Sequence, residues 1–348
     1  MSWMSPLSIS YIRATHFVRQ SAAWRERTLA YVTFADGLLR DEVAGAPVVR
    51  VNTPVLGELE GFLEAWRCAE VVSVGQCGAI RYSYNNDLLF GSLVLPESDF
   101  SEIAADIDTP SPLQRATRHA FQEIFGLIGR LNYPHLLRIF SYFPSINEES
   151  YGLERYRQFN FGRQEGFVAC GRSLTENTPA ACTLGTAGGD LTIYFIAGRN
   201  KPVTIENPRQ ISSYHYPPDY GPRSPTFSRA ALGRVGEHEI LFISGTSSIV
   251  GHRSMHIGDV AAQTRETLCN IETVVGEANR IASQARYDLE NMSYKVYLRR
   301  PEDIDIIHVE LQSALGPDVQ AIYLQADICR HDLMVEIEAI AGIPVEII

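Results

Sequence analysis

The chain of 348 residues is short of positive charge, with 30 lysines and arginines against 41 aspartates and glutamates and a formal net charge of −11. That balance leaves no cationic excess for a phosphate backbone, which excludes a general nucleic-acid binder. Long apolar runs are missing too. None approaches the ~20 residues that a bilayer-spanning helix needs, and "MSWMSPLSISYIRATHF" lacks the basic start and apolar centre of a secretory signal. Six cysteines (68, 77, 170, 182, 269, 329) occur without CxxC spacing. Reduced thiols in a cytoplasmic protein are therefore expected, not a disulfide frame. There is no GK[ST] ending of a phosphate loop and no G-x-S-x-G elbow, which removes the P-loop and serine-hydrolase readings. His252 and His256 stand four apart in "SGTSSIVGHRSMH". That context is glycine-rich and brings no third ligand, so no metal is expected.

What is present is more specific. Residues 332–342, "DLMVEIEAIAG", read as a strand near the C-terminus interrupted by two glutamates. Side chains alternate along a strand, so Leu333, Val335, Ile337 and Ala339 share one face, while Met334, Glu336, Glu338 and Ile340 share the other. A carboxyl in apolar surroundings is held in its acid form, as a proton donor requires. A solvated second face, or glutamates paired with arginines, would account for the same pattern.

The two halves of the chain echo each other. "ATRHAFQEI" (116–124) and "QTRETLCNI" (263–271) share a helical period. Each follows a glycine-containing apolar strand, 87–95 or 239–251, and precedes another, 136–143 or 292–300. "GDLTIYFIAG" (189–198) matches the C-terminal glutamate strand. This order implies an α+β fold of two similar units. The expected division is a degenerate N-terminal unit over 1–206, an ordered linker over 207–230 and a C-terminal unit over 231–348. The linker, with five prolines and several tyrosines and arginines, is read as part of a site.

Arginines gather in two places, Arg155, Arg157 and Arg163 in "GLERYRQFNFGRQEGF", and Arg209, Arg223 and Arg229 in the linker. A guanidinium fork matches a carboxylate with two hydrogen bonds, so two clusters could hold a small dianion. Tyr214, Tyr216 and Tyr220 could bond the same ligand or pack. Cys329 stands seven residues before Glu336; alone it reads as a small apolar residue.

Together "NYPHLLRIFSYFPSIN", "GLERYRQFNFGR", "IENPRQISSYHYPPDYGPRSPTFSRA", "FISGTSSIVGH" and "DLMVEIEAIAG" resemble the chorismatase family. That family has a C-terminal domain of the YjgF/RidA fold and a degenerate second copy before it. The stretches cover roughly 130–342. The resemblance implies release of pyruvate from chorismate by general-acid protonation of the enolpyruvyl group, with Glu336 as the acid. The expected substrate contacts are Arg157, Arg163, Tyr216, Arg223 and Ser247; acid-driven elimination needs no cofactor, and a monomer or a homotrimer is expected. In YjgF/RidA deaminases an arginine fifteen residues before the strand glutamate grips the substrate; here that position is Ala321. Cys329 resembles the branches that make 3-hydroxybenzoate or 4-hydroxybenzoate. The alternatives are hydrolysis to a dihydroxycyclohexadiene carboxylate and a non-catalytic aromatic-acid binder.

Overall fold

A computed structural model describes residues 5–34, 45–57, 61–101 and 109–348. The four long helices are α1 (Pro112–Arg130), α2 (Arg155–Ala169), α3 (Val260–Ile281) and α4 (Ile304–Leu315), and α1 and α3 contain the periodic stretches 116–124 and 263–271 seen in the sequence. Ser111 caps α1 by accepting from the Gln114 N–H at 3.1 Å, with Pro112 at the first helical position. Asp259 caps α3 in the same way. α1 and α2 touch closely because Gly162 has no side chain; a Cβ there would collide with the Gln114 carbonyl oxygen.

The middle sheet runs Ala180–Thr186, His135–Pro144, Leu191–Gly198, Leu88–Leu95, Ile80–Tyr84, Ser73–Cys77. The C-terminal sheet repeats this order with Gln320–Gln325, Ser293–Leu298, Val335–Ala341, His238–Thr246, Ala230–Val235 and Val203–Ile205. The senses match as well. In each sheet the two end strands named first are parallel and the next two pairings are antiparallel. α1 and α2 occupy the same places in the middle unit as α3 and α4 in the last. The expected α+β units, sheets backed by helices, are what the chain adopts.

A third sheet extends that expectation. Val48–Arg50, Thr28–Thr33, Phe62–Arg67 and Ser8–Arg13 follow the same order, again one parallel pairing and then two antiparallel ones. Residues 1–206 thus hold two sheets of one pattern. Some strands also cross the expected boundaries. Val345–Ile347 joins the first sheet, Val55–Leu56 pairs with Gln320–Gln325, and Val203–Ile205 belongs to the last sheet.

Backbone bonds stitch the units together: Gly185 with Asp327 at 2.7 and 3.0 Å, the Ala187 N–H to the Asn52 carbonyl at 3.1 Å, and the Gln325 N–H to the Pro54 carbonyl at 2.8 Å. The helix-facing sides of the middle and last sheets each bury their own core. Their other faces, with the first sheet, enclose one shared core that includes Trp66, Phe140, Tyr194, Phe242 and Tyr297. Among the described residues no helix is long and apolar enough to cross a membrane.

Candidate active site

The strand Val335–Ala341 is buried on both faces. Val335, Ile337 and Ala339 pack under α3 and α4, as the alternation requires. Glu336 and Glu338 turn to the shared core, only 4 % and 5 % exposed. Neither face is wet.

A cavity of about 250 Å³ opens over Glu336. The last sheet contributes Gly245 and Glu336, the loop before its glutamate strand contributes Cys329 and Arg330, and α2 supplies Tyr156 and Arg157. The 207–230 linker closes it with Tyr216, Tyr220, Phe227 and Arg229. Gly245 is required here. A Cβ in its place would collide with Glu336 Oε1.

Burial pushes the Glu336 carboxyl up to about 8; the charge of Glu338 adds to this and Arg138 opposes it. Burial pushes Glu338 up as well, but Lys295 and Arg138 hold it below the ordinary carboxylate range. Lys295 Nζ lies 3.2 Å from Glu338 Oε1, and the Arg138 guanidinium donates to Glu338 Oε2. Two glutamates on one face are thereby divided into a neutral acid and a fixed anion. Burial, with Glu336 nearby, pushes the Cys329 thiol up to about 12, so it stays a thiol and not a nucleophile. Burial also raises the Tyr156 hydroxyl.

The site residues read from the sequence are only partly brought together. Glu336, Cys329, Arg157, Tyr216 and Ser247 line the cavity. The Ser247 hydroxyl is buried and has no partner among the described residues. Arg157 is tied to Glu154 at 3.0 Å.

Arg163 and Arg223 do not line the cavity. Arg163 is buried behind Tyr156, bonded to Asn160 Oδ1 at 2.7 Å and stacked on Phe159. Arg223 lies exposed over the Phe161 ring. Helical geometry is the reason for the first: Arg163 follows Arg157 by six residues, well over one turn, and so points elsewhere.

Two other guanidiniums take their place. Arg229 is 6 % exposed, donates to the Tyr216 hydroxyl at 2.9 Å and the Ile211 carbonyl at 3.0 Å, and leaves its Nε unpartnered. Arg330 donates to the His252 carbonyl at 2.8 Å and lies 4.0 Å over the Tyr220 ring. Among the described residues neither has a carboxylate within ion-pair distance, although Glu206 lies close enough to Arg229 to feel its charge, so both guanidiniums can still take an anion. The sequence hint for Arg330 was its place beside Cys329; Arg229 stood among the linker arginines without a feature to rank it. His252 bonds the Tyr220 hydroxyl at 3.2 Å. Among the described residues no group of side chains could hold a metal.

A family model described as "Chorismatase FkbO/Hyg5-like, N-terminal" matches residues 64–197. The 3-hydroxybenzoate synthase of Streptomyces hygroscopicus is 36% identical, over 85% of this chain and 86% of its own length. The chorismatase of Streptomyces rapamycinicus is 38% identical, over 86% of this chain and 87% of its own. Among solved structures, a chorismatase crystal structure superposes with a TM-score of 0.83 at 30% identity, covering 98% of this chain and 100% of that one.

Proposed function

The chain belongs to the chorismatase family, and on that footing we propose that it converts chorismate to pyruvate and a hydroxybenzoate, the 3- or 4-isomer or both. One observation carries this reading: Glu336, a carboxyl that burial pushes up to about 8, lies at the floor of a cavity bordered by two guanidiniums that no carboxylate meets within ion-pair distance among the described residues. Chorismate is a dianion with one carboxylate on the ring and one on the enolpyruvyl group. Arg229 and Arg330 suit those two charges, with Arg157 at the rim, and the free Ser247 hydroxyl suits a remaining oxygen. Glu336 gives its proton to the terminal carbon of the enol ether. The electrons of that double bond form the new C–H bond and leave an oxocarbenium-like centre. The ring C–O bond then breaks with its electron pair going to oxygen, which becomes the keto group of pyruvate, and the ring becomes aromatic by losing a proton that restores the Glu336 acid. General-acid assistance of this kind contributes ~10²- to 10⁴-fold.

Pyruvic acid and hydroxybenzoic acid together have the composition of chorismic acid, so this outcome consumes no water. The hydrolytic route to the diene diol consumes one molecule of it. Cys329, a neutral thiol beside Glu336, takes up space that such a water would need, which supports the hydroxybenzoate outcome. Incubating the purified protein with chorismate and measuring pyruvate tests the activity, and chromatography of the aromatic products tests the branch. A diene diol as the sole ring product overturns the assignment.

The protein acts as a monomer in this reading, because three sheets of one pattern already enclose the shared core. Light scattering should return one chain mass, 38.8 kDa; three times that mass would refute it. Six unpaired thiols support a cytoplasmic setting.

A further inference from the structure

The first sheet lies away from the cavity, yet one of its side chains completes the charges beneath the acid. Glu64, on Phe62–Arg67, is fully buried. Its Oε2 lies 2.9 Å from Lys295 Nζ, and its Oε1 accepts from Trp66 Nε1 at 2.5 Å. Tyr11, from the neighbouring strand, donates to Oε2 at 3.3 Å. Lys295 then reaches Glu338, which Arg138 holds from the middle sheet, while the Tyr297 hydroxyl donates to Glu338 Oε1 at 3.2 Å. Two carboxylates and two cations from three sheets thus form one neutral, buried chain that ends two residues from Glu336.

We propose that Glu64 and Lys295 are positioning residues for the reaction: through them the first sheet fixes the charge of Glu338 beneath the catalytic acid. The inference rests on Glu336 being that acid. In a low-dielectric interior an uncompensated charge acts strongly over several ångströms. Without Glu64, Lys295 becomes a net cation beside Glu338 and favours the ionised form of Glu336. Without Lys295, the two anions are under-compensated and favour its protonated form. The groups facing Glu336 are Glu338 on its own strand, Arg138 and Cys182 from the middle sheet, Tyr156 from α2, Cys329 from the preceding loop, Tyr297 across the pairing, and, around the cavity, Arg157, Arg229 and Arg330. Burial raises the tyrosines and cysteines among them away from neutral pH, so the acid dominates the alkaline limb.

The experiment is the pH profile of kcat/KM for pyruvate release by the full chain, with melting followed alongside. Glu64→Gln should move the alkaline limb to lower pH by about one unit, and Lys295→Met should move it upward by a similar amount. Glu338→Gln should move it down as well. A merely structural cluster would lower the acidic plateau in each variant and leave the limb in place, and that result overturns the proposal. So does a shift of the same sign in Glu64→Gln and Lys295→Met. Should one variant not fold, the direction in the others decides, since a sign is predicted for each: down for Glu64→Gln and Glu338→Gln, up for Lys295→Met. Failure of the wild-type chain to release pyruvate would overturn the assigned function itself and is read in the same assay.

Discussion

The substitution Glu336→Gln should make the protein inactive and, at neutral pH, more stable. The acid's pKa rises from an ordinary 4.5 to about 8 on folding, chiefly through burial. Below pH 4.5 both folded and unfolded chains carry the proton, and the side chain is worth what a neutral amide would be. Between 4.5 and 8 the unfolded chain gives up its proton while the folded chain keeps it, so the unfolded state gains and stability falls as pH rises. At pH 7 the interval is about 2.5 pH units, and at about 1.4 kcal/mol per unit the burden is on the order of 3 kcal/mol. No discount for solvent applies, because the side chain is 4 % exposed. A glutamine amide has nearly the shape of the neutral acid and carries no such burden. Melting temperatures of wild type and Glu336→Gln should therefore agree near pH 4.5 and separate in favour of the variant as pH rises to 8. Pyruvate release should fall ~10²- to 10⁴-fold, the usual scale of general acid catalysis. A variant no more stable than wild type at about pH 7.5, or one that keeps more than about a tenth of the rate, would refute the reasoning.

Arg229→Ala and Arg330→Ala should each raise KM for chorismate, by a loss of about 1.5–3 kcal/mol for a charge-assisted bond, while Arg223→Ala leaves it unchanged. Unchanged KM in the first two would return the grip to Arg157. In wild type, kcat/KM should decline above about pH 8 with the slope of a single proton, as Glu336 ionises; a profile that stays flat well beyond that pH contradicts the assignment. Gly245→Ala drives a methyl group into Glu336 Oε1. It should lower kcat more than it raises KM, with the fold retained by circular dichroism. Cys329→Ala opens space beside the acid and should change the ratio of ring products more than the rate of pyruvate release. An identical product profile would leave the thiol a packing role only.

The glutamate strand could be read because alternation is local: Glu336 and Glu338 had to share a face whatever else the chain did. The last two sheets could be read because their helices and strands repeat at recognisable residues. The first sheet could not. Its strands are short, no helix of the length of α1 or α3 stands beside them among the described residues, and its likeness to the others lies in pairing order, not in side chains. The arginines failed for a different reason. Composition locates a guanidinium in the chain but not its direction, and aromatic rings at Phe159 and Phe161 take up Arg163 and Arg223. The split between Glu336 and Glu338 was also invisible, since it depends on Lys295 and Arg138 from two other strands.

The threefold repetition of one sheet in a single polypeptide has a consequence for what evolution can write at its centre. In an assembly of identical copies, every residue near the axis occurs in triplicate, and buried charges there come in threes. Here each third is spelled independently. The facing strands can carry Glu64 and Trp66 in one unit, Tyr194 in another and Glu336 in the last. Broken symmetry lets two anions meet two cations and cancel, with a single acid set apart from its neighbours.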